Sequence, residues 1–210
     1  MRDQLRDLRL ARASWRRRIR RGHAPVQRQL ARPEAEAVHI VTVELFLVPG
    51  LVQTAEYARA VLASAAAEMA EVLAEPDTDA AVRARIRRQD VLYDPAKQID
   101  IVVTETALRY RACPVPVLRG QLDRIGGLIG LSNVHIGIIP LVRQLPVVPL
   151  HGYLQLDDQI IVELNHTELT VGDPDEVAVY QRITDLLWTV AVEGDAARAL
   201  LARIAADLAG

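Results

Sequence analysis

The residues best suited to ligand chemistry begin at a Pro49-Gly50 turn that leads into the predicted start of a helix. Thr54 is a favourable N-cap, and Glu56 follows in the first turn. A helix N-terminus offers free N–H groups and a partial positive charge to an anionic or carbonyl group, and Gln53 and Thr54 could add hydrogen bonds. The alternative is structural, because Pro-Gly makes tight turns and Thr54 could simply cap the helix.

Arginines and an amide are grouped on the next predicted helix. Arg85, Arg88 and Gln89 are spaced i, i+3 and i+4, which places them on one helix face. Guanidinium groups on one face could clamp a carboxylate or a phosphate. A solvated face, or salt bridges to Glu56 or Glu105, would explain the same pattern. The residues predicted to bind a ligand are therefore Gln53, Thr54, Tyr57, Arg59, Arg85, Arg88 and Gln89.

Two glutamates follow apolar runs that are typical of strands. Glu105 ends the run IVVTE and Glu163 ends the run IIVE. Carboxylates at strand ends often face a pocket, and a pair of them could perform acid–base catalysis, with His151 as a third candidate. Each glutamate could instead neutralise a buried arginine, such as Arg85 or Arg109.

The remaining nucleophiles and metal ligands form no known motif. The single cysteine, Cys113, excludes an internal disulfide framework and a CxxC zinc site, although Cys–His catalysis needs only spatial proximity. The histidines show neither HxxxH nor HExxH spacing, and no GxGxxG, Walker or GxSxG string occurs. We therefore expect neither a metal nor a cofactor. The histidines considered are His39, His135, His151 and His166.

These residues have to be positioned by a mixed fold. Residues 41–48 fit either a buried strand or the end of a long helix. Elsewhere β-branched runs predict strands, two of which flank an acidic hairpin turn. The predicted strands are 98–104, 133–140, 152–156 and 159–164, the last two joined by Asp157-Asp158. With helices before and after them, the pattern predicts the α+β class: helical N- and C-terminal parts packed on a small mixed or antiparallel sheet of about four strands.

Charge divides the chain of 210 residues unevenly. Residues 1–30 contain ten arginines and two aspartates, a net charge of +8, whereas the remainder carries −10. We predict a basic helical arm over 1–25 and a single effector or ligand-binding domain over 26–210. The arm could bind nucleic-acid phosphates, or it could dock on the acidic body or cross over in a homo-oligomer. No apolar run approaches the length of about 18 residues that spans a bilayer, and the N-terminus has no apolar signal core, so we expect a cytoplasmic protein without membrane contacts.

Several strings in order resemble one family. They are LVPGLVQTAEYARAVL (47–62), RARIRRQDVL (83–92), ETALR (105–109), QLDRI (121–125), NVHIGIIP (133–140) and IIVELN (160–165). Together they are similar to domain of unknown function 5753, the C-terminal part of many actinobacterial helix-turn-helix regulators of the XRE type. The resemblance covers residues from about 10 to 208 and departs from the family pattern at RYRACPVPV and LVRQLPVVPLHGY.

The resemblance implies regulation by sensing. Because only about ten residues precede the matching region, we expect the effector part without its DNA-binding head, and we do not expect direct DNA binding. The leading hypothesis is a domain that binds a small polar or anionic metabolite, or a small companion protein. The alternative is a cofactor-independent enzyme of specialised metabolism, of the cyclase or isomerase type, derived from such a sensing domain.

Overall fold

A computed structural model of the chain describes residues 22–68, 77–164 and 167–208. Within these residues seven α-helices flank a six-stranded sheet. The strands are β1 (His39–Glu44), β2 (Gln98–Thr104), β3 (Val134–Ile139), β4 (Tyr153–Leu156), β5 (Gln159–Leu164) and β6 (Thr167–Val171). The helices are α1 (His23–Glu36), α2 (Ala55–Glu68), α3 (Thr78–Arg88), α4 (Glu105–Arg109), α5 (Val115–Leu128), α6 (Pro174–Trp188) and α7 (Gly194–Asp207), and two 3-10 helices cover Gly50–Val52 and Gln89–Tyr93.

The sheet is mixed, with the order β3-β2-β1-β4-β5-β6. β1, β2 and β3 run parallel, and β4, β5 and β6 extend the sheet in antiparallel pairing from β1. This confirms the α+β class and corrects the expected size, because there are six strands rather than about four. The ambiguous segment 41–48 contributes to β1. The additional strand β6 is short and only partly buried. Its sequence TELTV lacks a clear apolar face, and so the sequence did not predict this strand.

The alternation of side chains along β1 explains how the sheet separates two cores. Val41 and Val43 point to one face, where Val43 packs with residues of α6 such as Leu187. Ile40 points to the other face and packs in the core formed with α5 and α7. Thr42 and Glu44 lie on the same face as Ile40. At the β1–β4–β5 end of that face, the strands and the helices α1, α2 and α3 line a common cavity.

Capping side chains fix several helix starts. Asp173 accepts hydrogen bonds from the N–H groups of Asp175 (3.0 Å) and Glu176 (3.3 Å) and so caps the start of α6. Thr54 Oγ1 accepts from the N–H of Tyr57 (3.2 Å), so Thr54 caps α2 as expected. Asp77 stands before α3, but its carboxylate accepts from the N–H groups of His23 and Ala24 and therefore caps α1 instead.

Helix α6 packs closely against the sheet at a glycine of β3. A Cβ atom at Gly137 of β3 would lie 1.8 Å from the Trp188 ring, so the indole ring occupies the space that a side chain would need. No helix among the described residues combines the length and the apolar character needed to cross a membrane. Residues 1–21, which make up most of the predicted basic helical arm, and His166 lie outside the described residues.

Candidate functional site

A cavity of about 800 Å³ lies between the sheet and the three helices α1, α2 and α3. Its walls are largely aliphatic, with Val26 and Leu30 from α1 and Val61 and Leu62 from α2. Phe46 lines it and is 62% exposed, which marks the side where the cavity meets solvent. The volume falls within the range of small-molecule sites, which are concave, mostly apolar and carry a few polar groups.

The floor of the cavity is formed by two rows of residues across β1, β4 and β5. Strand register aligns Thr42 with Leu154 and Leu154 with Ile161, and all three line the cavity. The second row lies two residues further along each strand. The same register places Glu44, Gly152 and Glu163 in this row, and all three line the cavity. The floor is therefore apolar at one end and carries two carboxyl groups at the other.

Gly152 creates the space between these carboxyl groups. A Cβ atom at position 152 would lie 2.7 Å from Glu44 Oε2 and 2.8 Å from the main-chain oxygen of Val43. The Glu44 carboxyl thus lies over the glycine, in the direction of Glu163. Burial, with a further contribution from the negative charge of Glu163, raises the pKa of Glu44 to about 8, although the positive charge of Arg85 acts in the opposite direction. Glu44 is mostly protonated at neutral pH.

Arg85 enters the cavity from α3. Its Nε donates to Gln27 Oε1 (3.0 Å) and its Nη1 to Gln53 Oε1 (2.8 Å). Both partners are neutral amides, and Arg85 forms no salt bridge with a carboxylate of the described residues. Burial and the neighbouring charge of Arg88 lower the pKa of Arg85 to about 10, so the guanidinium remains charged at neutral pH. A cation held by neutral groups beside a cavity is available to an oxygen of a ligand.

Arg88 lies one turn further along α3 and has a different environment. Its Nε and Nη2 donate to the two carboxylate oxygens of Glu34, at 2.7 and 2.5 Å, and its Nη1 donates to Gln27. The side chains of Arg88 and Glu34 are 7% and 1% exposed. This bidentate pair joins α3 to α1 and forms part of the cavity wall.

His23 supplies another polar group at the cavity. The residue is 8% exposed, lines the cavity, and its buried Nε2 has no hydrogen-bond partner among the described residues. Burial lowers the pKa of His23, despite the opposing effect of Asp77, so the ring is neutral at neutral pH. A buried nitrogen without a partner is costly, and a ligand could satisfy it.

The ligand-binding residues predicted from sequence separate into two groups. Gln53, Arg85 and Arg88 line the cavity. The other four residues, Gln89, Thr54, Tyr57 and Arg59, do not line it and have other roles. Gln89 Nε2 donates to the main-chain oxygens of Gly50 and Gln53, and Thr54 caps α2. Tyr57 is fully buried with its hydroxyl accepting from the N–H of Val48, and Arg59 pairs with Asp79 at the surface.

The three candidates for acid–base catalysis are also dispersed. Glu163 lies at the cavity floor. Glu105 is buried elsewhere, where its carboxylate accepts from Arg109 Nε (2.7 Å) and from the N–H of Leu141 (2.9 Å). His151 Nδ1 lies 3.1 Å from the main-chain oxygen of Gly152, and its ring packs 6.0 Å from that of Tyr180. These three side chains therefore do not form one catalytic group.

The histidines and the cysteine form no metal site in the part of the chain that the structure describes. His39 Nε2 and His135 Nδ1 both contact the Asp100 carboxylate, at 2.6 and 3.0 Å, across three neighbouring strands. Cys113 is half-buried, and burial raises the pKa of its thiol above the ordinary value. A raised thiol pKa disfavours the thiolate that nucleophilic catalysis needs.

Sequence reasoning missed Glu44 and His23. Glu44 ends the apolar strand HIVTVE in the same way that Glu105 and Glu163 end theirs, so the same signal was present. It carried less weight because residues 41–48 fitted a strand or a helix equally well. His23 has no sequence signal, because its role depends on α1 lying against α3.

The structure defines an α+β domain with a cavity between its mixed sheet and three of its helices. Residues 27–203 match the family described as "Domain of unknown function (DUF5753)", and the chain belongs to that family. This confirms the resemblance seen in the sequence strings. No curated protein matches the chain.

Among solved structures, the chain is similar to TrmBL2, an archaeal chromatin protein whose structure "shows a novel mode of DNA binding". The sequence identity is 13% and the TM-score is 0.42. The likeness covers 82% of this chain and 51% of that one, so this chain spans about half the length of the archaeal protein.

Proposed function

We propose that this protein is a ligand-sensing domain that binds a small polar or anionic metabolite in the cavity between the sheet and α1, α2 and α3. The observation that carries the proposal is Arg85, a charged guanidinium that faces the cavity and is held by two amide oxygens rather than by a carboxylate. An arginine with a structural role would have its charge paired by a carboxylate, as Glu34 pairs the charge of Arg88. Arg85 keeps donor capacity for a ligand oxygen.

The aliphatic walls support the same proposal. A ligand with an apolar body would cover Phe46, Val61 and Ile161, which line the cavity and are exposed or half-buried, at about 25 cal/mol for each Å² of apolar surface removed from water. Its polar end would lie near Arg85 and the two floor glutamates. Binding would also stabilise the contact between α1, α2 and α3, since all three helices line the cavity. That stabilisation is the means by which a sensing domain could transmit ligand binding.

A thermal-shift screen of small polar and anionic metabolites tests this function, followed by calorimetry on the compounds that raise the melting temperature. Arg85→Met should weaken binding of those compounds at least tenfold while the fold is retained, because methionine fills similar space without the charge. Arg87→Met is the matched control, since Arg87 is exposed on the same helix. Equal binding by wild type and Arg85→Met would contradict the proposed role of Arg85.

One observation favours the alternative, a cofactor-independent enzyme of the cyclase or isomerase type. Two carboxyl groups share the cavity floor, and the pKa of Glu44 is raised to about 8, which leaves a proton donor close to the carboxylate of Glu163. A carboxyl group that keeps its proton at neutral pH can act as a general acid. The two hypotheses differ in turnover: a sensor returns its ligand unchanged after long incubation, as mass spectrometry would show, and an enzyme does not.

The proposal of a companion protein or a homo-oligomer concerns a different surface. Between β3 and β4, four apolar side chains are 58–90% exposed: Leu141, Val142, Val148 and Leu150. An apolar segment of this kind is a feature of interaction sites. Light scattering after chromatography measures the oligomeric state, and Val142→Asp with Leu150→Asp should lower it if this segment joins two copies.

A further inference from the structure

Helix α6 has apolar side chains on two of its faces. Val177 and Leu187 are buried in the core between α6 and the sheet. A second set, Val179, Ile183 and Leu186, is spaced i, i+4 and i+7, which places these side chains on another face of the helix. Ile183 still packs on the core, whereas Val179 is 55% exposed and Leu186 is 37% exposed. Packing on the sheet therefore does not account for the second face.

The segment 140–152, which joins β3 to β4, lies beside α6. Its partly buried Leu145 and Val147 pack on the same core as α6. At the end of the segment, the His151 ring lies 6.0 Å from the Tyr180 ring of α6. The exposed apolar side chains of the segment and those of α6 therefore lie on neighbouring parts of one surface.

These two parts of the surface carry opposite charge. The segment contains one exposed arginine, Arg143, and no acidic residue. Helix α6 contains three acidic residues and one arginine, a net charge of −2. One of its exposed acids, Glu176, stands three residues before Val179 and so lies on the second apolar face. Neither Arg143 nor Glu176 forms a salt bridge with another of the described residues.

A second copy of the chain offers the partner that both parts of this surface fit. Two copies related by a two-fold axis present the same surface to each other in opposite directions, so the segment of each copy can lie on α6 of the other. Such a contact covers exposed apolar side chains on both sides and joins a cationic part to an acidic part. Contact between the two segments alone would bring like charges together.

We infer that this surface is the interface of a homodimer, in which the segment 140–152 of each copy packs on α6 of the other and Arg143 pairs with Glu176 across the interface. The inference rests on the proposed interaction role of the segment, and it names the partner and the contact. Helix α6 and the row that carries Glu44 lie on opposite faces of the sheet. Dimerisation can therefore be tested separately from ligand binding.

Light scattering after chromatography measures the mass of the full chain between about 1 and 100 µM. The wild type should form a dimer in this range. Arg143→Glu alone and Glu176→Arg alone should each raise the Kd of the dimer at least tenfold, because each places two pairs of like charges in a symmetric interface. The double variant reverses both charges and should recover the dimer.

The two single variants mixed in equal amounts test whether the contact is reciprocal. Arg143→Glu and Glu176→Arg meet with opposite charges at both contacts of a two-fold interface, so the mixture should form a heterodimer although neither variant dimerises well alone. Two exposed charge reversals elsewhere are the matched controls and should dimerise as wild type does. They are Arg87→Glu on α3 and Glu56→Arg in the first turn of α2.

Circular dichroism first establishes that each variant is folded. Among folded variants, single charge reversals that dimerise as wild type does overturn the inference, as does a double variant or a mixture that stays monomeric. Val179→Asp should also weaken the dimer, and a dimer that responds to Val142→Asp but not to Val179→Asp shows a contact between segments only and overturns the proposed pairing. A wild type that is monomeric throughout overturns the homodimer and leaves a companion protein as the partner, while the thermal-shift screen for ligands is unaffected.

Discussion

Glu44→Gln should stabilise the protein, and the size of the effect should grow with pH. A carboxyl whose folded pKa lies above its unfolded value holds its proton more tightly in the folded chain. The contribution of Glu44 to stability is therefore most favourable below pH 4.5, falls as the pH rises towards 8, and then levels off. The pKa of Glu44 rises from 4.5 in the unfolded chain to about 8 in the folded chain. Ionisation of Glu44 in the unfolded chain therefore destabilises the fold by about 3 kcal/mol at pH 7 and about 5 kcal/mol at pH 9.

Glutamine removes this ionisation without changing the shape of the side chain. These values are upper limits, since the cavity opens to solvent beside the exposed Phe46. Urea unfolding at pH 5, 7 and 9 measures the difference in unfolding free energy between Glu44→Gln and wild type, which should be about 1, 3 and 5 kcal/mol at most. Glu56→Gln, a solvent-exposed control, should show no such trend. A variant less stable than wild type at pH 7, or a difference constant with pH, would refute a protonated Glu44.

Three further variants test the surroundings of the floor. Glu163→Gln removes the like charge that helps to raise the pKa of Glu44, so the pH at which stability levels off should fall below that of wild type in the same urea series. Arg88→Met leaves the buried carboxylate of Glu34 unpaired and should cost about 3–5 kcal/mol of unfolding free energy; a loss below 1 kcal/mol would contradict a structural pair. Gly152→Ala places a Cβ 2.8 Å from the Val43 oxygen and should cost about 1–3 kcal/mol in thermal or urea unfolding, whereas a neutral result would show that the floor has room to adjust.

Local signals in the sequence predicted the elements that depend on few residues. The hairpin around Asp157-Asp158 appears as β4 and β5, and β2 and β3 lie within a residue of their predicted bounds. In each case the apolar pattern and the turn residues are adjacent in the chain, so no distant contact is needed to define them. The parallel pairing of β1 with β2, by contrast, depends on crossover helices that a local pattern does not reveal.

The candidate site was harder to predict because its residues come from distant parts of the chain. Asp77 illustrates the difficulty: it has the sequence context of a cap for α3, yet its carboxylate binds the N-terminus of α1, more than fifty residues earlier. The Glu44–Gly152–Glu163 row likewise exists only once β4 lies between β1 and β5. Sequence spacing identified Arg85 and Arg88 as one helix face but could not distinguish their roles.

The difference between Arg85 and Arg88 depends on what α1 places opposite each of them. Glu34 meets Arg88 with a carboxylate, and the pair joins two helices, whereas Gln27 meets Arg85 with an amide that orients the guanidinium without neutralising it. The charge of Arg85 therefore acts on the cavity, where it opposes the rise in the pKa of Glu44. A helix made only for packing would gain by pairing both arginines. In this protein Arg85 has no carboxylate partner, and the position of Glu44 at the cavity costs about 3 kcal/mol of stability at neutral pH. A binding site requires such groups, because the unsatisfied groups of an empty cavity are the groups that a ligand can satisfy.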